Sequence, residues 1–356
     1  MFRYLFRSSI ALATATLPMM AGAGELRVFI PEGSADAVRI VDPQTGASLG
    51  RIENLLVVHG LAGSLNSPYL VAGSYSEVDR EEALATPKPT DVSRDEHAAH
   101  HAKPPARIGP QDAGISLLSV LDAESGELVR RIEVPGAVHH VAISPDGKFA
   151  VATHPASDGV SIVDLTSLEL VAWVPTGPMS NYAVFGADPG AVYISNAGNG
   201  TISEVDLERG IVRRNLLAGE DPEHLVTSLD GTLMFVADAA IGRVIELEMS
   251  SGRELRRFEI GGEIHGLDLS EDGKRVLVAA KETDRIVSVS LGSGEITSAP
   301  LSPAPYHLTT IPGTDRILVS SRDEPKVWIV DADSLSALGE IPIEGEGHQM
   351  VVQPPS

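Results

Sequence analysis

The chain has 356 residues, a formal net charge of −22 at pH 7 and no cysteine. This acidity disfavours binding to nucleic acid and to anionic membrane surfaces, whose phosphates the protein would repel. The lack of cysteine excludes disulfides, thiolate metal sites and covalent c-type haem attachment, so any metal must be held by His, Asp, Glu, carbonyl or water ligands.

The N-terminal segment, residues 1–23, has the order typical of a secretory signal peptide. Arg3 and Arg7 precede an apolar run from Ile10 to Met20, and Ala21-Gly22-Ala23 forms a small-residue cleavage site. The apolar run is too short to span a bilayer, and no later stretch is long and apolar enough for a membrane helix. We therefore expect cleavage near Ala23, a periplasmic location and no insertion into the membrane.

Residues 24–356 contain a repeat of about 42 residues. Its marker is a short alternating or apolar segment that ends, in successive units, at Asp42, Asp122, Asp164, Asp206, Glu248, Ser290 and Asp331. Each unit has room for four short strands rich in Val and Ile, with Asp-Gly turns such as Asp146-Gly147 between them. A period of this length with four strands per unit predicts the blades of a β-propeller.

The two ends of the chain are expected to close the ring. Three strands near residues 28–30, 38–42 and 49–53 begin the domain, and one strand at 349–353 ends it. Together they complete a blade and leave no exposed sheet edge at the junction. The predicted fold is therefore all-β, a seven-bladed β-propeller closed by pairing the N- and C-terminal strands in one blade. An insertion at about 76–114, rich in Pro, Ala, Asp and Glu, is predicted to be a mobile loop.

Seven of the eleven histidines fall at two consecutive positions where the first strand of a blade begins. The first position holds His59, His139, Asn181, Glu223, His265, Tyr306 and His348. The second position holds Gly60, His140, Tyr182, His224, Gly266, His307 and Gln349. Because the first strand of each blade lines the central channel, we expect a histidine ring at one mouth of the channel. The sequence leaves open which position faces the channel.

Convergent imidazoles and carboxylates predict a metal site. Since zinc–nitrogen bonds are about 2.0–2.1 Å long, one ion cannot bridge the whole ring, and we expect its ligands to come from neighbouring blades. The preferred set is His348, His59 and His139, completed by His154 or Glu32. A second set spans blades four to six and comprises Glu223, His224, His265 and His307, with Asp238 nearby; His140 is a further candidate ligand.

The insertion carries a separate histidine cluster. His97, His100 and His101 have helical i, i+3 and i+4 spacing and follow Asp95 and Glu96. Three imidazoles on a flexible segment would form a weak, exchangeable ligand set. Such an arm, tethered near a fixed site, would have a high effective concentration there.

Two resemblances to known families follow from these residues. The segments 143–147, 162–164 and 192–196 resemble the bacterial propellers with Tyr-Val-Thr-Asn repeats, and this likeness extends over residues 24–356. The histidine ring, the cluster at 97–101, the signal peptide and the missing cysteines resemble more specifically the AztD-type periplasmic zinc metallochaperones. That resemblance implies a carrier and not an enzyme. Its metal would be zinc, ahead of copper or nickel, and its partner would be the periplasmic solute-binding protein of a zinc ABC importer.

Two other functions fit the same residues. A metal-dependent propeller hydrolase of the lactonase type would use an activated water and, on the sequence pattern, Glu32, His154, Asn196 and Asp238. A protein-interaction scaffold would leave the histidine ring incidental. No Gly-x-Ser-x-Gly motif is present, which disfavours a serine hydrolase.

Overall fold

Seven antiparallel sheets of four strands each make up the protein. The structure, a computed structural model, describes residues 26–78, 108–110 and 112–353. Within these ranges there is no α-helix, and the short helical turns at Gly33–Ala35 and Pro155–Ser157 are 3-10. No helix of the described ranges is long and apolar enough to cross a membrane. The predicted all-β, seven-bladed propeller is confirmed.

The strands follow the blades in chain order. Blade seven begins with β1 (Arg27–Glu32), β2 (Ala37–Val41) and β3 (Ser48–Ile52). Blade one comprises β4 (Val58–Gly63), β5 (Tyr69–Ser74), β6 (Ile115–Asp122) and β7 (Leu128–Pro135). Blade two comprises β8 (Val141–Ile143), β9 (Phe149–His154), β10 (Gly159–Asp164) and β11 (Glu169–Pro175). Blade three comprises β12 (Ser180–Phe185), β13 (Ala191–Asn196), β14 (Thr201–Asp206) and β15 (Ile211–Leu217).

The remaining blades repeat this order. Blade four comprises β16 (Pro222–Thr227), β17 (Leu233–Asp238), β18 (Arg243–Glu248) and β19 (Arg253–Glu259). Blade five comprises β20 (Leu267–Leu269), β21 (Arg275–Ala280), β22 (Arg285–Ser290) and β23 (Ile296–Pro300). Blade six comprises β24 (Pro305–Ile311), β25 (Arg316–Ser321), β26 (Lys326–Asp331) and β27 (Ala337–Pro342), and β28 (Val351–Gln353) returns to blade seven.

Blade seven joins the two ends of the chain, as the sequence predicts. Its strand order is β28-β1-β2-β3, so the last strand lies innermost. The register places Val351 opposite Phe29 and Gln353 opposite Arg27. The C-terminal strand therefore closes the ring by covering an edge of β1 that would otherwise be unpaired.

The apolar core lies between adjacent blades. The second strand of a blade is buried on both faces; β9, for example, is buried from Ala150 to His154. The fourth strand alternates between exposed and covered residues, as β15 does, because its outer face meets solvent. One core cluster joins Val120 of blade one to Val141 and Val163 of blade two. This continuous inter-blade packing stabilises the fold without any disulfide.

The repeated aspartates of the sequence have a structural explanation. Asp42 Oδ1 accepts hydrogen bonds from the backbone N–H groups of Gln44 and Thr45, which closes the turn between the third and fourth strands. Asp331 does the same in blade six. These hydrogen bonds are the largest cause lowering the pKa of both aspartates. The carboxylate is therefore a turn-forming residue, which is why it recurs with the period of the repeat.

Two predicted segments lie outside the described residues. The signal peptide falls within residues 1–25, and His97, His100 and His101 fall within residues 79–107. Val78 forms an isolated antiparallel β-bridge with Ile115. The roles predicted for these segments stay predictions.

Candidate metal centre

The channel-lining segment of several blades contains a β-bulge, which turns two consecutive residues toward the channel. In blade two, the His139 N–H donates to Thr153 O, and the Thr153 N–H donates to His140 O. Two consecutive residues of the inner strand therefore pair with one residue of the second strand. The pair 265–266 of blade five is arranged in the same way. The ladders of blades three, four and six shift register at the same place. In a regular strand, two consecutive side chains point to opposite faces. Because a bulge changes this direction, residues at both candidate positions can face the channel.

The seven histidines of these positions form one continuous cluster. Their rings come from six of the seven blades and touch across the channel. The ring-centroid separations include 4.7 Å for His59–His139, 3.3 Å for His59–His348, 4.2 Å for His139–His140, 3.8 Å for His307–His348 and 4.4 Å for His224–His265. The predicted histidine ring is therefore a feature of the structure.

Three of the histidines form what we call the mouth trio: His59, His139 and His348. One ring nitrogen of each lies within 4.8 Å of the others, so a single metal ion could be held between them. His59 and His139 are half-buried, which leaves this trio accessible from the mouth. The structure brings together the three histidines of the preferred predicted set, from the consecutive blades seven, one and two.

A second group, the buried trio, consists of His140, His224 and His307. Its ligand atoms also lie within 4.8 Å of one another, and all three residues are buried. They belong to blades two, four and six. Ring nitrogens from blades that are not neighbours therefore also converge, because the channel is narrow enough for rings to meet across its axis. A third group, His265 with His307 and His348, draws on both trios.

Hydrogen bonds fix the tautomers of several ring histidines. His59 Nδ1 lies 2.9 Å from His139 O, and His140 Nδ1 lies 2.9 Å from Asn181 O. A carbonyl oxygen only accepts hydrogen bonds, so each Nδ1 carries the proton and donates it. The Nε2 lone pair of each ring is left available as a metal ligand.

Four buried ring nitrogens have no hydrogen-bond partner among the described residues. These atoms are His140 Nε2, His224 Nε2, His265 Nε2 and His348 Nδ1. Leaving a buried acceptor unsatisfied costs about 1–3 kcal/mol. Such a concentration of unpaired ring nitrogens fits a bound cation, which several of them could coordinate at once.

Burial keeps the cluster neutral. It lowers the pKa of His59 to about 3, and it is also the largest cause lowering the pKa of His139 and of the five remaining ring histidines. Neutral imidazole is the form that coordinates metals, so protons do not compete for these lone pairs near pH 7.

Glu223 pairs with His265 at the edge of the cluster. Glu223 Oε2 lies 2.9 Å from His265 Nδ1. Burial raises the pKa of Glu223, and burial lowers the pKa of His265. A carboxylate that accepts the Nδ1–H of an imidazole fixes the lone pair on Nε2 and increases its basicity. Glu223 thus orients His265 instead of offering a ligand to either trio.

Four predicted residues at the ends of second strands do not join the cluster. His154 Nε2 is 2.9 Å from Ser161 Oγ, and its Nδ1 lies 3.0 Å from Gly136 O. Glu32 forms ion pairs with Arg39 and Arg51.

Asp238 and Asn196, the other two of these residues, also bond to side chains outside the cluster. Asp238 pairs with Arg243 at 2.7 Å. Asn196 Nδ2 donates to Thr201 Oγ1 and Ser203 Oγ. Each of the four side chains bonds to the third strand of its own blade. The roles predicted for His154, Glu32 and Asp238 as metal ligands, and for all four in hydrolysis, are therefore corrected: their shared spacing reflects repeated structural bonds.

The sequence analysis missed a set of hydroxyl groups that position the ring. Thr153 Oγ1 accepts from the His140 N–H at 3.0 Å and donates to Asn181 O at 2.7 Å. Ser195 Oγ makes the equivalent bonds one blade further on, and Ser320 Oγ accepts from the His307 N–H. Thr153 and Ser195 thereby tie their bulges to the next blade. Their separation of 42 residues, from Thr153 to Ser195, is the signal that could have revealed them.

Comparison with known proteins gives the fold but no family. No family model and no curated relative matches the chain. A periplasmic gluconolactonase from Pseudomonas aeruginosa superposes with a TM-score of 0.69 at 15% identity, over 93% of this chain and 99% of that one. A protein provisionally assigned as a 6-phosphogluconolactonase, from Bacteroides fragilis, gives 0.70 at 14% identity, over 94% and 99%. A hydrazine synthase from Kuenenia stuttgartiensis gives 0.66 at 14% identity, over 92% and 100%.

These likenesses overturn two expectations from the sequence. The similar structures include lactonases, which favours the hydrolase alternative over a zinc metallochaperone and over a protein without enzymatic activity. Nothing in them supports the AztD-type resemblance. The predicted solute-binding partner stays untested. At identities of 14–15%, the superpositions establish one conclusion: the chain shares its propeller fold with these structures.

Proposed function

We propose that the protein is a metal-dependent hydrolase of lactones, with its reaction centre at the mouth trio. The observation that carries this proposal is the convergence of three imidazoles, two of them half-buried at the channel mouth, beside a carboxylate–histidine pair. The similar structures described as lactonases support the same reaction class. Hydrolysis of a lactone adds one water across the ring ester and yields a hydroxy acid.

The mouth trio suits a catalytic metal. Three protein ligands with a further position open to solvent are typical of catalytic zinc, and imidazole also suits copper and nickel. A divalent ion held there would polarise the lactone carbonyl and lower the pKa of a water molecule. We propose zinc as the ion because the ligands are neutral nitrogens and the chain has no thiolate.

His265 is positioned to act as the general base. A ligand nitrogen of His265 lies within 4.8 Å of one on His348, a member of the mouth trio. The Nδ1–H of His265 donates a hydrogen bond to Glu223, so Nε2 can take a proton from the attacking water. Glu223 then stabilises the imidazolium, and the same proton passes to the alkoxide when the ring ester opens.

The surroundings of the mouth suit a polar, sugar-like ring. Tyr75 stacks on His59 at 4.6 Å, and Tyr306 stacks on His265 at 3.9 Å. Arg322 lies over the Tyr306 ring, with 45% of its side chain exposed. Aromatic faces can pack against a sugar ring, and the guanidinium can bind the carboxylate that hydrolysis produces.

We place this activity in the periplasm. The predicted signal peptide supports export, and one of the similar structures is described as a periplasmic gluconolactonase. Fractionation of cells that express the full chain, with detection of the processed N-terminus, tests this location.

The hydrolase proposal predicts metal-dependent turnover. Zinc-loaded protein is expected to hydrolyse aldono-lactones above the spontaneous rate, to lose that activity on chelation and to regain it with zinc. His139→Gln removes one mouth ligand, and we expect kcat/KM to fall by about 10²-fold or more. A pH-stat assay with glucono-δ-lactone measures the rate. Protein that is shown to be metal-loaded and still gives no more than spontaneous hydrolysis would contradict the proposal.

Glu223→Gln is expected to lower kcat by about 10²-fold with little change in KM. The amide keeps the shape of the side chain but no longer imposes the Nδ1–H tautomer on His265. Glu263→Gln is the matched control, because Glu263 lies at the same mouth and contacts Lys281 instead of the ring. Equal effects of the two substitutions would show that the loss reflects charge at the mouth and not the orientation of His265.

A further inference from the structure

We propose that a groove between blades seven and one binds an extended peptide segment of another protein, one that carries apolar side chains and a carboxylate. The groove lies beside the outermost strands of the two blades and consists of two adjoining cavities of about 290 and 840 Å³. Asn54, Leu55 and Arg131 line both cavities, so Arg131 lies where they meet. This site is outside the reaction centre at the mouth, and its occupancy is independent of the proposed hydrolase activity.

The groove follows the length of a strand. At the mouth face it begins at Ser74, the last residue of β5, and at the opposite face it ends at the turn 124–127 between β6 and β7. It therefore runs alongside β7, whose eight residues extend over roughly 25 Å at about 3.3 Å per residue. An extended peptide of about six residues fits a groove of this length, whereas a compact small molecule would fill only part of it.

Arg131 is an exposed arginine that forms no ion pair with any residue the structure describes. Its Nη2 donates to Asn54 O at 2.8 Å. In blade four, Arg257 occupies the equivalent place in the strand register. Arg257 forms a bidentate ion pair with Glu254, and both N–O distances are 2.7 Å. The same position therefore holds a neutralised guanidinium in blade four and one that can bind the carboxylate of a ligand in blade one.

Blade one has an exposed leucine where blade four has the acidic partner. Leu128 is the repeat equivalent of Glu254, lines the groove and is 46% exposed. Leu49, on the blade-seven side of the groove, is 55% exposed. The two leucines can bury apolar side chains of a ligand, and the guanidinium of Arg131 can donate paired hydrogen bonds to its carboxylate. The chemistry of the groove therefore favours a ligand that combines both kinds of group.

Three acidic residues also line the groove and restrict where the carboxylate of the ligand can lie. Glu53 is 3.5 Å from Arg51 Nε, and Glu124 and Glu127 lie at the end of the groove away from the mouth. Arg131 lies between these two acidic ends. We therefore expect the carboxylate near the middle of the peptide and uncharged residues on either side of it.

Fluorescence anisotropy with a defined peptide tests this inference on the full chain. The probe is a labelled, amide-capped peptide of sequence Leu-Ser-Leu-Asp-Leu-Ser, and its counterpart has asparagine in place of aspartate. We expect the aspartate peptide to bind more tightly by about tenfold or more, because only the carboxylate forms a charge-assisted pair with Arg131. Non-specific attraction to a chain of net charge −22 would give the opposite preference.

Two substitutions in the groove should each weaken binding of the aspartate peptide by about tenfold or more. Leu128→Glu gives Arg131 the acidic partner that Arg257 has in blade four, and Arg131→Gln removes the guanidinium. Both positions are exposed, so we expect the urea midpoint to stay that of the unsubstituted chain. Arg257→Gln is the matched control and should leave the affinity for the peptide unchanged, because that arginine is already paired with Glu254.

Several results would overturn the assignment of the groove to a peptide. Equal affinities for the aspartate and asparagine peptides would do so, as would equal effects of Arg131→Gln and Arg257→Gln. Octanoate that displaces the peptide with comparable affinity would show that a small apolar anion is the occupant. Dimers of the free chain that Leu128→Glu abolishes, measured by sedimentation velocity, would assign the groove to a second copy. None of these measurements involves lactone hydrolysis, so they leave the hydrolase proposal to its own test.

Discussion

Metal-free protein is expected to lose most of its stability between pH 6.5 and pH 4. Burial lowers the pKa of His154 to about 4 and that of His59 to about 3, and it lowers the pKa of the other six ring histidines. In the unfolded chain these groups titrate near 6.5. Below that pH the unfolded state binds more protons than the folded state does, so stability decreases as the pH falls.

The magnitude of this effect is large compared with the stability of a typical domain. As the pH falls, each such histidine lowers the free energy of unfolding by up to about 1.4 kcal/mol per pH unit, until the pH reaches its folded-state pKa. By pH 4, His154 and His59 alone would remove roughly 6–7 kcal/mol, against a typical total of about 5–15 kcal/mol. Three partly buried carboxyl groups with raised pKa values act in the opposite direction, but they are fewer than the histidines; they are Asp221, Glu223 and Asp268.

Urea midpoints measured at several pH values in a chelating buffer check this prediction. They should be constant above pH 7 and fall steeply below pH 6.5. Zinc-loaded protein should resist to lower pH, because bound metal excludes protons from its ligands. His154→Gln removes one titrating group outside both trios, and we expect it to make the pH dependence shallower by about 1.4 kcal/mol per unit. A midpoint that is unchanged from pH 8 to pH 4 would contradict the account of the ring as a buried neutral cluster.

The fold could be predicted from the sequence because its signals are local and repeated. Val and Ile at alternate positions, the Asp146-Gly147 turn and the aspartates that close the later turns recur at a fixed interval. Gly147 adopts φ +75° in that turn, a conformation that glycine adopts readily. Each blade therefore specifies its own strands, and counting the units gave the seven-bladed ring.

The site was harder to predict because periodicity does not tell which way a side chain points. His154 and His139 both follow the repeat, yet His154 bonds within its blade and His139 faces the channel. The bulges that turn both His139 and His140 inward depend on pairing with Thr153, a contact between strands. The convergence across the axis also depends on close packing: a Cβ at Gly60 would lie 2.9 Å from the backbone of His140. Such distances follow only from the assembled ring.

The functional prediction failed for a different reason. Histidines, a signal peptide and missing cysteines are compatible with any exported protein that binds a metal through imidazole. These features indicate which ligands a metal ion would have, but not what such an ion would do. The position of Glu223 beside His265 is what separates a site able to transfer protons from one that only holds an ion, and that pairing joins residues 42 positions apart.

Removal of the last strand is expected to have the second large effect. Truncation after Met350 deletes β28, whose three residues pair with β1. Val351 is buried in a cluster with Phe29 and Leu61. Loss of two covered valines and of the ladder hydrogen bonds should cost roughly 6–9 kcal/mol, which approaches the total stability of a typical domain. The inner edge of β1 would also be exposed, so the truncated protein should aggregate.

The matched control is truncation after Gln353, which removes only residues 354–356 and leaves β28 complete. We expect its urea midpoint to equal that of the full chain. Val351→Asp tests the packing separately from the chain length, because it retains the backbone ladder while placing a charge in the core next to Phe29. If the chain truncated after Met350 unfolded with the midpoint of the full chain and remained monomeric, the pairing of β28 with β1 would not be what closes the ring. The six internal blades would then hold the circle by their mutual packing alone.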